Sequence, residues 1–344
     1  MLAGSAYEAE YRKLMKNTPW LVIYSCFFGL SFLHAVPADQ AILTKEEAIL
    51  VPGVKGGTDF IEFDQERGRL LAGHPGNGTL DIYDTKSKSF LPSIPTGAAN
   101  DVAVDSKGGR YIVSVSKQQK VVSVDAEKLT ITGSIPLPGK ADVLTFNSKN
   151  GTAYVGHDDA TEIWVVDVNA GKVVASIPIA EGPEALVCDE AANRVYANVK
   201  SADYIAVIDT VLNKSTTSWP TAPAKSPHGL VIDTEGHRLI SVGGDGTLVS
   251  IDLGSGKVVS SAKVSPRVDQ IAYDSVLKRV YCASGLGVLS VVDASGAELK
   301  HLGDVTTHKG AHAVTVDNKT HAVWISFTEG ASWNDGASYI QKLK

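Results

Sequence analysis

Cysteine is nearly missing from this chain, at three residues in 344. A scaffold stapled by many disulfides is thereby excluded. Basic clusters are missing too. Lys and Arg total 32 against 38 Asp and Glu, the formal net charge is -6, and no Lys/Arg-rich run occurs. Such a chain is a poor electrostatic partner for nucleic acid, and none is expected. Long apolar runs are limited to Trp20–Leu33, shorter than the ~20 residues a membrane-spanning helix needs. No helical period of useful length follows it. Gly-x-Ser-x-Gly, a phosphate-binding Gly loop and Cys-x-x-Cys are all absent, which removes the common signatures of nucleophile elbows, nucleotide sites and redox pairs. What remains is 44% hydrophobic residues and 32 glycines, enough apolar material for a folded core.

The N-terminus reads as an address. Met15-Lys16-Asn17 precedes the apolar run, and His34-Ala35-Val36-Pro37-Ala38 supplies small residues behind it. This is the pattern of a secretory signal with cleavage after Ala35 or Ala38. Glu8 and Glu10 fit that pattern poorly, so Met15 is the expected start. Residues 1–38 are read as the signal and 39–344 as one domain in the periplasm or outside the cell. No stable transmembrane segment is expected after cleavage. Cys188 and Cys282 fall on non-adjacent repeats, so both are expected as small buried apolar residues rather than as a disulfide.

Everything after the signal repeats. Asp64, Asp105, Asn147, Asp189, Asp233, Asp274 and Asp317 recur at intervals of 41, 42, 42, 44, 41 and 43 residues. Five residues past each, an apolar strand begins, as in Arg194-Val195-Tyr196-Ala197. A third strand ends in a second aspartate, as in Ile205-Ala206-Val207-Ile208-Asp209, and a fourth follows. Four short strands per ~42 residues, punctuated by Gly, Asn and Asp, describe a propeller blade. Seven units predict an all-β, seven-bladed propeller of four-stranded antiparallel blades. The last unit has only three strands. Ala48-Ile49-Leu50-Val51-Pro52-Gly53 matches the fourth-strand ending Ser134-Ile135-Pro136-Leu137-Pro138-Gly139, so the N-terminal strand is expected to close blade 7.

These repeats resemble the YVTN-repeat propellers and, more closely, the YncE-like exported bacterial proteins. Arg194–Ala197 with Ile205–Asp209 carries the likeness, as do Gly246–Asp252 with Gly256–Val259, and Pro227-His228-Gly229-Leu230. The resemblance spans about residues 48–344. It implies the fold, and relatives that include binding proteins and lactonase-like propellers. His312 stands where related blades often carry Arg, which weakens transfer of a ligand role at that point.

Five residues before each anchor stand Asp59, Asn100, Asp142, Glu184, His228, Asp269 and His312. All seven are Asp, Asn, Glu or His, a class that supplies about one residue in six of the chain. Antiparallel blades place this position at one mouth of the channel. His74 and His157, ten residues past their anchors, end second strands at the same face. Taken singly, these two read as solvated loop histidines.

Three readings stand at this level. Imidazoles and carboxylates that converge could hold one divalent transition metal, or Ca if carboxylates act alone; His74, His228, His312 and His157 are the metal candidates. The ring, with Trp333 on an elongated blade-7 loop, could instead hold a small molecule or a peptide. Or the ring could cap strand starts and bond water in the channel. A binding protein is the first functional expectation. The alternative is a metal-dependent hydrolase of lactonase type, with Glu184 or Asp142 as base. A monomer is expected.

Overall fold

The computed structural model describes residues 42–344, apart from 54, 158, 160 and 331. The proposed signal segment lies outside the described residues. The rest is the seven-bladed β-propeller anticipated above: seven antiparallel sheets of four strands each, with a single short 3-10 turn at Lys200–Ala202. The innermost strands are Ile61–Asp64, Ala99–Asp105, Leu144–Asn147, Pro183–Asp189, Pro227–Asp233, Val268–Asp274 and Ala313–Asp317. Each ends on its anchor. Among the described residues, no helix is long and apolar enough to cross a membrane.

Turn chemistry fixes the repeat. The anchor carboxylate accepts backbone N–H groups of the turn it opens: Asp64 Oδ1 takes Glu66 N at 3.0 Å and Arg67 N at 3.1 Å. Four residues past every anchor the backbone is left-handed, at Gly68, Gly109, Gly151, Asn193, His237, Lys278 and His321. A type I turn followed by a left-handed residue joins antiparallel strands with the correct twist. Three blades place Gly there because it pays no Cβ penalty. His237 and His321 are therefore turn residues, at the face opposite the polar ring.

Anchors also tie blades together. Tyr111 Oη of blade 2 donates to Asp64 Oδ2 of blade 1 at 2.9 Å, and His321 Nδ1 of blade 7 meets Asp274 Oδ2 of blade 6 at 2.7 Å. Middle strands are covered on both faces by neighbouring blades, so they read as apolar runs; Ile163, Val165 and Val166 are fully buried. Outer strands alternate instead, as Lys172–Pro178 does. Both cysteines are free. Cys282 is buried as expected, whereas Cys188 is only half-buried because it lines the channel.

Blade 7 closes as the repeat count requires. Its order is Ala313–Asp317, Ala322–Glu329, Ala337–Leu343 and then Ile49–Leu50 from the N-terminal side. Ile49 pairs with Ile340 and Leu50 with Tyr339. The clasp runs further: Thr44 and Lys344 exchange both backbone hydrogen bonds, at 2.7 and 2.9 Å, and Val51 N donates to Ser338 O at 2.8 Å. Val51 is buried between blades 7 and 1, and Leu43 between blades 6 and 7.

Candidate functional site

The seven ring residues all lie half-buried at the starts of the inner strands. Their exposure has a local cause in blades 2, 4, 5 and 6. Pairing of the first two strands shifts register between Ala99 and Val102, Pro183 and Ala185, Pro227 and Leu230, and Val268 and Gln270. Asn100, Glu184, His228 and Asp269 fall inside these bulges. A bulge leaves its extra residue out of the ladder and re-aims the side chain.

The ring divides into two neighbourhoods. On one side Asn100 Nδ2 donates to Asp59 Oδ2 at 2.8 Å and to Asp142 Oδ1 at 3.0 Å. His312 Nε2 stands 4.0 Å from Asp59 Oδ1. Burial first, then the charges of Asp142, Asp269 and Asp101, hold the Asp59 carboxyl well above the usual carboxylate range. Such crowding of like charge disfavours full ionisation unless a cation arrives.

On the other side Glu184, His228 and Asp269 offer ligand atoms that all lie within 4.8 Å of one another. His228 Nδ1 donates to Ser226 O at 2.6 Å, because a carbonyl can only accept. That bond leaves Nε2 with the lone pair. Lys200 Nζ contacts Glu184 Oε1 at 2.6 Å. These groups line a cavity of about 670 Å³ at the mouth, with Lys200 and Arg267 as its cationic walls. It shares Glu184 and Asp269 with a channel cavity of about 550 Å³.

The remaining candidates do not join this set. His74 is 1% exposed, not solvated. Its Nδ1 meets Asp81 Oδ2 at 2.7 Å, and its Nε2 lies 2.9 Å from Gly56 O and 3.2 Å from Lys55 O. Both nitrogens are engaged: Nδ1 within blade 1, and Nε2 in holding the segment that crosses from blade 7 to blade 1. His157 Nδ1 accepts Asp159 N at 3.0 Å, within its own loop. Trp333 is 37% exposed and lies on that crossing segment: a Cβ built on Gly57 would collide with its indole.

Sequence reasoning missed Lys200, Arg267 and two channel carboxylates. Lys200 follows a second strand directly and Arg267 precedes Asp269 by two residues, but nothing in the repeat marks either. Glu62 lies on the inner strand of blade 1, where its carboxylate accepts Phe63 N at 2.8 Å; burial pushes it up to about 7. Burial pushes Asp101 up to about 8, against hydrogen bonds from Leu144 N and Val102 N.

These shifts give a pH dependence with a definite sign. For a group raised on folding, stability is complete below its unfolded pKa of about 4 and is lost as pH rises through the folded value. Glu62 and Asp101 place that loss between about pH 5 and 8. Asp84 and Asp209 act oppositely. Backbone amides of Ser87 and Leu212 hold them below the ordinary carboxylate range, so their contribution fades as pH falls below about 4. Calorimetry is expected to show the highest melting temperature on the mildly acid side, falling toward pH 8.5. Glu62→Gln should flatten the alkaline fall; an unchanged fall would contradict this assignment.

No family model matches the chain, and no curated protein matches it. Solved structures match its fold. The hydrazine synthase of Kuenenia stuttgartiensis is 14% identical, with a TM-score of 0.68 over 80% of this chain and 94% of that one. The RRP9 WD40 repeats are 11% identical, with a TM-score of 0.72 over 88% and 100%. A chain of the mitotic checkpoint complex is 13% identical, with a TM-score of 0.73 over 94% and 98%. At these identities the likeness shows the seven-bladed propeller fold alone, a fold that hosts many unrelated functions.

Proposed function

We propose that this propeller is a binding protein whose ligand site is the ringed channel mouth, built on a divalent transition metal held by Glu184, His228 and Asp269. The observation that carries the reading is the convergence of one imidazole and two carboxylates within 4.8 Å. One nitrogen and two oxygens suit zinc or its neighbours, whereas calcium prefers oxygen alone. The bond from His228 Nδ1 to Ser226 O supports it further, since metal-ligating imidazoles are usually oriented by such a partner. Asp59, Asn100, Asp142 and His312 complete the polar wall on which an organic ligand would rest.

The hydrolase alternative has less support. Glu184 is taken up as a metal ligand in this reading, and Asn100 donates to Asp142, so both carboxylates considered as bases are already committed. The repeat residues Arg194–Ala197 and Ile205–Asp209 favour placement among the YVTN-repeat, YncE-like propellers, and the N-terminal pattern favours export.

Calorimetric titration of the untagged protein with zinc tests the reading. One equivalent should bind. His228→Ala and Asp269→Asn should each weaken binding by about tenfold or more, while His312→Ala should leave it close to wild type. Absence of binding, or a His228→Ala variant that titrates like wild type, would sink it.

A further inference from the structure

We infer that the mouth takes a monocarboxylate, whose carboxylate bridges the metal and the guanidinium of Arg267. The inference rests on the metal reading above and adds the ligand class.

Arg267 lines the same cavity as the three ligands and stands two residues before Asp269. Its side chain is exposed and makes no hydrogen bond or ion pair among the described residues. The other cation of the wall, Lys200, is already committed to Glu184 at 2.6 Å. Arg267 is thus the cationic group of this wall left for an incoming anion, and its planar fork fits a carboxylate.

The backbone beneath it is built rather than loose. Arg267 N donates to Gly244 O at 2.9 Å, and Gly285 N donates to Arg267 O at 3.1 Å. Between these bonds Arg267 has φ 59°, a left-handed conformation that L side chains rarely adopt. Two residues before the ring residue of blade 7 stands Gly310, with φ 84°. Ser226, two residues before the ring residue of blade 5, shares this left-handed conformation at φ 54°. The neighbouring Gly244 and Gly285 leave the approach to the metal uncluttered; the atom closest to a Cβ on Gly285 is 4.0 Å away.

Charge selects the anion. Two carboxylate ligands balance a divalent ion, and Lys200 and Arg267 leave this side of the mouth positive. Lys200 and Arg267 add two positive charges, and Asp59 and Asp142 across the ring offset one or both of them. With at most one positive charge left over, a singly charged carboxylate suits the mouth better than a phosphate dianion.

Cobalt(II)-loaded full-length protein, followed by its visible absorption, tests this with acetate and inorganic phosphate as probes. Acetate should change the spectrum saturably, and phosphate should do so more weakly. Arg267→Gln, and Arg267→Gly, which suits the left-handed backbone, should both keep the acetate-free spectrum. Each should raise the acetate concentration at half-saturation by about tenfold or more. Variants that respond like wild type would overturn the bridge while leaving the metal site standing. A phosphate response equal to acetate would overturn the ligand class. Failure of the wild type to take up cobalt would overturn the metal reading and this inference with it.

Discussion

A chain that begins at residue 54 is expected to lose the propeller as a whole. Leu43 leaves the core between blades 6 and 7, and Val51 the seam between blades 7 and 1, at about 1.5–3 kcal/mol each for a fully buried aliphatic side chain. The backbone bonds from Thr44 and Val51 are lost as well, and Ala337–Leu343 becomes an open edge ready to pair with other chains. The combined loss, on the order of 5 kcal/mol, is comparable to the whole stability of many domains. Circular dichroism should show an unfolded or aggregated product. A truncated chain that melts at the wild-type temperature would show that the ring does not depend on its clasp.

His74→Ala is expected to be the most damaging single change among the histidines. It leaves Asp81, 0% exposed, without its hydrogen-bond partner. Leaving a buried carboxyl without its hydrogen-bond partner costs about 1–3 kcal/mol or more, and replacing both partners by apolar residues costs less. His74→Leu with Asp81→Leu should therefore be more stable than His74→Ala, as measured by urea denaturation. His228→Ala, at a half-buried mouth, should lose metal affinity with a stability change of less than about 1 kcal/mol. If His74→Ala is as mild as His228→Ala, the structural role assigned to His74 is wrong.

That contrast also marks how far the sequence could be read. Anchors such as Asp64 and Asp233 were legible because turn chemistry demands an acceptor at the strand end and a left-handed residue four positions later. The polar ring was legible because the same count leads back to one mouth in every blade. Strand pairing then bulges at Asn100, Glu184, His228 and Asp269, which the repeat does not encode in any visible residue. His74 was not legible as a latch, because its partners, Gly56 O and Lys55 O, belong to a crossing segment whose path depends on ring closure. Glu62 and Asp101 were missed for a related reason: an acid on an inner strand is tolerated only because the channel lies beside it. The separation of the ring into an Asn100-bridged half and a Glu184–His228–Asp269 half depends on side-chain reach across blades, and no one-dimensional period carries that.

The central claim is that Glu184, His228 and Asp269 share a metal. Anomalous diffraction at the zinc edge from a crystal of the untagged protein equilibrated with zinc tests it most directly. The account predicts one strong peak within bonding distance of those three side chains. A peak confined to the partly exposed pairs His308–Glu329, 3.3 Å apart, or His301–Asp304, 2.8 Å apart, or none at the mouth, would contradict it.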